Sequence, residues 1–70
     1  MRTKDEILES IKIWRGNKKV ITDVKTTEGS RNITFRTDYT SYAMMSSIAG
    51  MNEWLVEPRD NHMVEITIWY

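Results

Sequence analysis

The stretch Lys18–Tyr39, KKVITDVKTTEGSRNITFRTDY, decides the fold class because it has the pattern of a β-hairpin. Its first arm is rich in β-branched residues, and in its second arm the side chains of Ile33, Phe35, Thr37 and Tyr39 alternate with those of Asn32, Thr34, Arg36 and Asp38. Glu28-Gly29-Ser30 between the arms has the composition of a turn. The alternation predicts inward side chains at Val20, Thr22 and Val24 of the first arm and at Ile33, Phe35, Thr37 and Tyr39 of the second.

A helix is predicted before the hairpin, over residues 3–15. Thr3-Lys4-Asp5-Glu6 has the form of a capping box, and Gly16 suits the residue that ends a helix. Apolar residues recur at helical spacing along one face, at Ile7, Leu8, Ile11 and Trp14. A strand over Ser10–Arg15 that turns at Gly16-Asn17 is the alternative, and the capping signals favour the helix.

A second helix and a final strand complete the pattern. The helix begins near Thr40 or Ser41, and its apolar stripe is formed by Tyr42, Met44, Met45, Ile48, Ala49, Met51 and Leu55. Gly50 either permits close packing or marks an early end, and the helix must stop before Pro58. His62–Tyr70 predicts a strand with inward Val64, Ile66, Ile68 and Tyr70 and outward Met63, Glu65, Thr67 and Trp69.

The order α-β-β-α-β predicts one α+β domain over residues 1–70. We expect a two-layer sandwich whose three-stranded, mainly antiparallel sheet carries both helices on one face. Strand order 2-1-3 is favoured, and a mixed sheet of order 1-2-3 with a right-handed crossover is the alternative. The C-terminal strand is an edge in both. The expected core centres on Ile33, Phe35, Ile48 and Ile66.

Composition excludes several function classes. The 70 residues carry ten basic and ten acidic side chains, which argues against an acidic DNA mimic and a general, strongly basic nucleic-acid binder. The chain has no cysteine, so disulfides and cysteine zinc sites are excluded, and we expect no metal or cofactor. No apolar run approaches the ~18 residues of a membrane span. Residues 1–7 lack the pattern of a signal peptide. A cytoplasmic location is expected because it fits the lack of cysteine.

The residues that could support catalysis are few, and we expect that the protein is not an enzyme. His62 is the one side chain that ordinarily titrates near neutral pH. In a strand that begins at His62, it and Glu65 face opposite sides of the sheet, which disfavours a dyad or a metal site. Ser46 and Ser47 have no local base.

Trp69 indicates an interaction surface, because alternation places it on the sheet face that the helices leave uncovered. Its expected neighbours there are Met63, Thr67, Thr34, Arg36, Ile21 and Lys25, a mixture typical of interfaces. Asp23 and Glu65 are expected on the same face, where they dilute its positive charge. The segment Val64–Tyr70, VEITIWY, would also be an unprotected edge. We therefore expect a homodimer, formed either by edge pairing that includes Ile68 and Tyr70 or through the open face around Trp69.

Three functions are compatible with these patterns. The leading hypothesis is a non-catalytic protein that blocks, sequesters or adapts a partner protein as a homodimer, of the inhibitor and adaptor type that phages also encode against host factors. A small nucleic-acid-binding domain, with contacts from Arg15, Lys18, Lys19 and Lys25, is the first alternative. The second alternative sequesters a nucleotide-like ligand between Trp14, Tyr42 and Trp54.

Overall fold

The computed structural model describes all 70 residues and contains two helices and four strands. In chain order, the elements are α1 (Lys4–Gly16), β1 (Ile21–Thr27), β2 (Asn32–Thr37), α2 (Tyr42–Ala49), β3 (Trp54–Pro58) and β4 (Val64–Trp69). Every strand pair is antiparallel, and the strands lie in the order β1-β2-β4-β3. The α+β class is therefore confirmed, whereas the expected three-stranded sheet is wrong.

One hydrophobic core lies between the sheet and the two helices. Eleven residues form it: Ile7 and Ile11 from α1, Met44, Met45, Ile48 and Ala49 from α2, and Ile21, Ile33, Phe35, Ile66 and Ile68 from the strands. The four residues expected at its centre, Ile33, Phe35, Ile48 and Ile66, have no exposed surface. Both helices thus cover the same face of the sheet, and the opposite face is left open.

Helix α1 confirms the helix prediction at its N-terminus. The Thr3 hydroxyl accepts the Glu6 amide N–H at 3.2 Å, and the Glu6 carboxylate accepts the Thr3 amide N–H at 2.8 Å. These reciprocal bonds satisfy two of the amides that a helix start leaves free. They also hold the pKa of the Glu6 carboxyl below its ordinary value.

Helix α2 ends at Ala49, so the prediction that its apolar stripe continues to Leu55 is wrong. Gly50 has φ 58° and ψ −124°, a conformation that L side chains rarely adopt. A Cβ there would lie 2.6 Å from the Arg2 side chain. The glycine therefore turns the chain out of the helix, leaves Met51 exposed and allows residues 54–58 to form β3.

The buried amide of Asn52 fixes this turn to both ends of the chain. Its Oδ1 accepts the Arg2 amide N–H at 2.7 Å, and its Nδ2 donates to the carbonyls of Arg2 and Trp69, each at 2.9 Å. Only 3% of Asn52 is exposed, so these bonds replace those it would make with water. The start of β3 is thereby held beside the end of β4.

The position of β4 corrects the expected topology. Strand β4 pairs with β2 on one side and with β3 on the other, so the C-terminal strand is not an edge. Order 2-1-3 is wrong, and the mixed sheet of the alternative is also wrong because no pair is parallel. Strands β2 and β3 run in the same direction with α2 between them, and β4 fills the gap between these two strands.

A β-bulge corrects the inward set of the first hairpin arm. Thr22 pairs with Arg36 and Lys25 with Thr34, so Asp23 and Val24 together oppose the single residue Phe35. Asp23 takes φ 56°, which lets Ile21 and Val24 both face the core. The predicted inward positions Val20 and Thr22 are exposed, and so is Tyr39, which lies beyond β2.

An ionic contact closes the corner where the hairpin turn meets α1. The Lys4 ammonium lies 2.8 Å from the Glu28 carboxylate, which raises the pKa of Lys4 and lowers that of Glu28. Arg31 donates through Nε to the Tyr70 carbonyl at 3.2 Å and lies 5.3 Å from the centre of the Tyr70 ring. The last residue of the chain is therefore held against the hairpin.

The bulge gives a direct test of the β1 register. We expect Asp23→Val to lower the free energy of unfolding by about 1–2 kcal/mol, because a β-branched residue is strained at positive φ. Asp23→Gly should cost less, since glycine adopts this conformation freely. Thr26→Val, on the same strand, is the control. Equal stability of the Val and Gly variants in urea denaturation would contradict the bulge.

Candidate functional site

The candidate site is the open face, the side of the sheet that neither helix covers. Three rows of side chains cross it, defined by the strand pairings. The first row is Thr22, Arg36, Glu65 and Glu57; the second is Lys25, Thr34, Thr67 and Leu55; the third is Thr27, Asn32 and Trp69. The face therefore has a charged end at the first row and an aromatic end at the third.

The charged end is a network centred on Glu65. Arg36 Nε lies 3.4 Å from Glu65 Oε1, and Arg59 Nη2 lies 3.1 Å from Glu65 Oε2 and 3.6 Å from Glu57 Oε1. The guanidinium groups come from different segments, since Arg36 is on β2 and Arg59 follows β3. The network therefore fixes Glu65 in place but leaves Arg36 with a single, long contact.

A shallow depression of about 290 Å³ lies beside this network. Its lining is entirely polar and consists of Asp23, Lys25, Thr34, Arg36 and Glu65. The bulge brings Asp23 to this position, where its carboxylate accepts the Thr22 hydroxyl at 3.1 Å. Two positive and two negative side chains line the depression, so it presents no excess charge to a ligand.

The aromatic end is formed by Trp69 and Leu55. The two residues are diagonal neighbours across β3 and β4, within reach of each other's side chains. Thr67, which pairs with Leu55 in the second row, is only 8% exposed, although it faces away from the core. Leu55 is 47% exposed. This end therefore offers partner-accessible apolar surface next to the charged network.

The structure brings some of the predicted interface residues together and separates others. Trp69, Thr67, Arg36 and Lys25 share the open face, as alternation predicts. Ile21 does not, because the bulge turns it into the core. Met63 is partly buried in the turn before β4.

The predicted edge contacts of Ile68 and Tyr70 are wrong. Ile68 is fully buried on the helix side, and Tyr70 packs against the core. The Tyr70 amide also donates to the Arg31 carbonyl at 3.0 Å. Neither residue is available for pairing with a second C-terminal strand.

Sequence reasoning missed Leu55, Glu57 and Arg59, because it placed the first two in or beside a helix. The signal that could have found them is the five-residue segment Trp54–Pro58. It alternates in the sheet and ends in a proline, which is typical of a short edge strand. Asp23 was expected on the outward side of its strand and lines the depression, whereas the bulge that exchanges the sides of Ile21 and Thr22 leaves no clear mark in the sequence.

Basic and aromatic side chains also meet at the end of the molecule where α1 leads into β1. The Lys19 ammonium lies 5.8 Å from the centre of the Tyr39 ring. Tyr39 is 61% and Tyr42 is 83% exposed, and the neighbouring Lys18 is exposed as well. Arg15 donates through Nε to the Ile21 carbonyl at 3.0 Å. We call the residues Lys18, Lys19 and Tyr39 the basic tip.

Trp14, Tyr42 and Trp54 do not enclose a ligand cavity. Trp14 packs against the core and donates through Nε1 to the Ser47 hydroxyl at 3.0 Å, which joins the two helices. Tyr42 extends into solvent, and Trp54 begins β3 rather than ending α2. The one depression on the surface is lined by none of the three.

His62 is exposed in the turn between β3 and β4. No group of three or more His, Cys, Asp or Glu side chains is close enough to hold a metal ion. Neither helix combines the length and apolar character needed to cross a membrane. Comparison with protein-family models, with curated proteins and with solved structures finds no match to this chain.

Proposed function

We propose that this is a non-catalytic interaction protein that blocks, sequesters or adapts a partner protein through the open face of its sheet. The observation that carries the proposal is that Trp69 and Leu55 lie on the same sheet face as the charged network around Glu65. Tryptophan and arginine are the residues that most often dominate binding energy at interfaces. Because regular strands already hold these side chains, little conformational entropy is lost when a partner binds.

The same face is where we place self-association of the chain in the cytoplasm. Pairing through the C-terminal strand is excluded because β2 and β3 occupy both of its sides. The two strands that remain at the edges carry protective features. Strand β1 is interrupted by the bulge at Asp23, and β3 has only five residues and ends in Pro58. The open face has no such protection.

Substitution on the open face tests the proposal. Trp69→Glu should reduce the affinity for a protein partner at least tenfold, because it places an unpaired charge at the aromatic end. Leu55→Glu, at a more exposed position, should act in the same direction. Tyr42→Glu is the matched control because it introduces the same charge at an exposed position outside the face.

The measurement begins with affinity capture from the native host and continues with titration of the purified partner by calorimetry. Loss of binding in both open-face variants, with Tyr42→Glu unaffected and all variants folded by circular dichroism, supports the proposal. Equal affinity of the wild type and the Trp69→Glu and Leu55→Glu variants contradicts it.

The basic tip supports nucleic-acid binding as a second candidate function. The exposed Tyr39 ring can stack on an unpaired base, and Lys18 and Lys19 can contact phosphates. The α1 end itself presents backbone carbonyls, so the attraction for phosphate comes from side chains alone. We therefore expect a single-stranded nucleic acid that binds with low affinity.

Fluorescence anisotropy with a labelled single-stranded oligonucleotide tests this candidate. Two phosphate contacts, one from each lysine, would give a log–log salt slope of about −1.4. Lys19→Glu should abolish binding, whereas Lys25→Glu, which makes the same change on the open face, should preserve it. Absence of binding by the wild type at low salt, or equal loss in both variants, would refute binding through the tip.

A further inference from the structure

Four of the six charged side chains of the open face are divided by sign across its midline. The midline runs between β2 and β4, the two inner strands. Lys25 and Arg36 lie on the β1–β2 half, and Glu65 and Glu57 lie on the β4–β3 half. A surface divided in this way can be complementary to itself.

A two-fold axis along the strands at this midline would bring unlike charges together. The rotation lays β2 of one copy on β4 of the other, so Arg36 faces Glu65 of the partner subunit. Each contact of a two-fold interface occurs twice, and this one therefore supplies two ion pairs. Within one chain, the 3.4 Å contact of Arg36 with Glu65 leaves the guanidinium free to make a further bond.

The other two rows contain no clash of like charges under this rotation. Thr34 faces Thr67 of the partner subunit, Asn32 faces Trp69 of the partner subunit, and Lys25 lies over Leu55 of the partner subunit at the sheet edge. Asp23 is negative on the mostly positive β1–β2 half, and Arg59 is positive on the mostly negative β4–β3 half. The rotation lays Asp23 over the edge strand of the partner subunit, beside Glu57 of the partner subunit and Arg59 of the partner subunit.

A two-fold axis across the strands gives a poorer match. It would lay the first row on the third, so that Glu65 faced Trp69 of the partner subunit and Arg36 faced Asn32 of the partner subunit. A carboxylate covered by an indole ring loses its water without gaining an ionic partner. The charge pattern thus selects the axis along the strands.

We infer that a second copy of this chain occupies the open face, related by a two-fold axis along the strands between β2 and β4. This inference rests on the proposed function, because it uses the same surface and names its occupant. The dimer is a sandwich of two four-stranded sheets, with each layer of helices on the outside. Face-to-face packing of aligned sheets is a common arrangement.

The size of the face determines how strong the dimer is. Four strands at ~4.8 Å spacing and six residues at ~3.3 Å rise give a face of about 19 by 20 Å. Such an area lies below the ~800 Å² per partner of standard interfaces and belongs to the class of weak, reversible associations. We therefore expect a dissociation constant on the order of 10–100 μM.

Charge reversal in two separate variants tests the inference. In Arg36→Glu alone, carboxylates face carboxylates across the axis, and in Glu65→Arg alone, guanidinium groups face guanidinium groups. Each variant should sediment as an 8.3 kDa monomer. An equimolar mixture should associate to twice that mass, because every carboxylate of one variant then faces a guanidinium group of the other. Lys12→Glu, on the exposed side of α1, should dimerise like the wild type.

Mixing separates the interface from folding once circular dichroism shows that each variant folds alone, because the mixture then changes only which charges face each other. If either reversal prevents folding, Arg36→Gln and Glu65→Gln replace the pair, and each should weaken wild-type dimerisation at least fivefold. The inference is overturned if the wild type is monomeric at several hundred micromolar, if either reversed variant dimerises alone, or if the mixture stays monomeric. A monomeric wild type that still binds another protein through Trp69 would overturn the second copy and leave the proposed function standing.

Discussion

The rest of the structure depends on the pairing of β4 with a strand on each side. The Tyr70 amide donates to Arg31 beside β2, and the Trp69 amide donates to Glu53 beside β3. In an antiparallel strand, successive residues bond to opposite neighbours, so even-numbered residues of β4 bond to β2 and odd-numbered ones to β3. The same strand buries Ile66 and Ile68 completely. The C-terminal segment thus joins the hairpin, the short strand β3 and the helical layer.

This arrangement determines which surfaces can take part in binding. An interior C-terminal strand removes the long apolar edge that the sequence suggests. The actual edges are β1, with its bulge, and β3, in which Pro58 stands at a position that faces outward from the sheet. Proline has no amide hydrogen to offer there, and the pairing of another strand is disfavoured. The open face is instead a surface on which Trp69, Leu55 and a charged network lie together on regular strands.

Local signals predicted a large part of the fold. The capping box of α1, the hairpin turn and the alternation of β2 and β4 are short-range patterns, and the structure agrees with each. The end of α2 depends instead on contacts that span the chain, since Gly50 packs against Arg2 and Asn52 bonds to Arg2 and Trp69. The apolar spacing of Met51 and Leu55 imitates a continuing helix, and only those distant contacts show that the helix has ended.

The sequence likewise predicted one part of the candidate site and missed another. Alternation along β4 placed Trp69 and Thr67 on the open face, because period two is a property of the strand itself. Leu55 lies on the face because residues 54–58 form β3, and Thr22 takes the place expected for Ile21 because of the bulge at Asp23. A one-residue insertion reverses every later side chain in a strand, so a pattern read without the bulge assigns the first half of β1 to the wrong face.

Amide hydrogen exchange measured by NMR tests the central claim, the interior position of β4, most directly. The account predicts that the amides of Thr67 and Trp69, which point toward β3, exchange as slowly as those of Ile66 and Ile68, which point toward β2. The amides of Trp54 and Val56 face the free edge of β3 and should exchange much faster. Rapid exchange at Thr67 and Trp69 together with slow exchange at Ile66 and Ile68 would show that β4 is an edge strand, and would contradict the account.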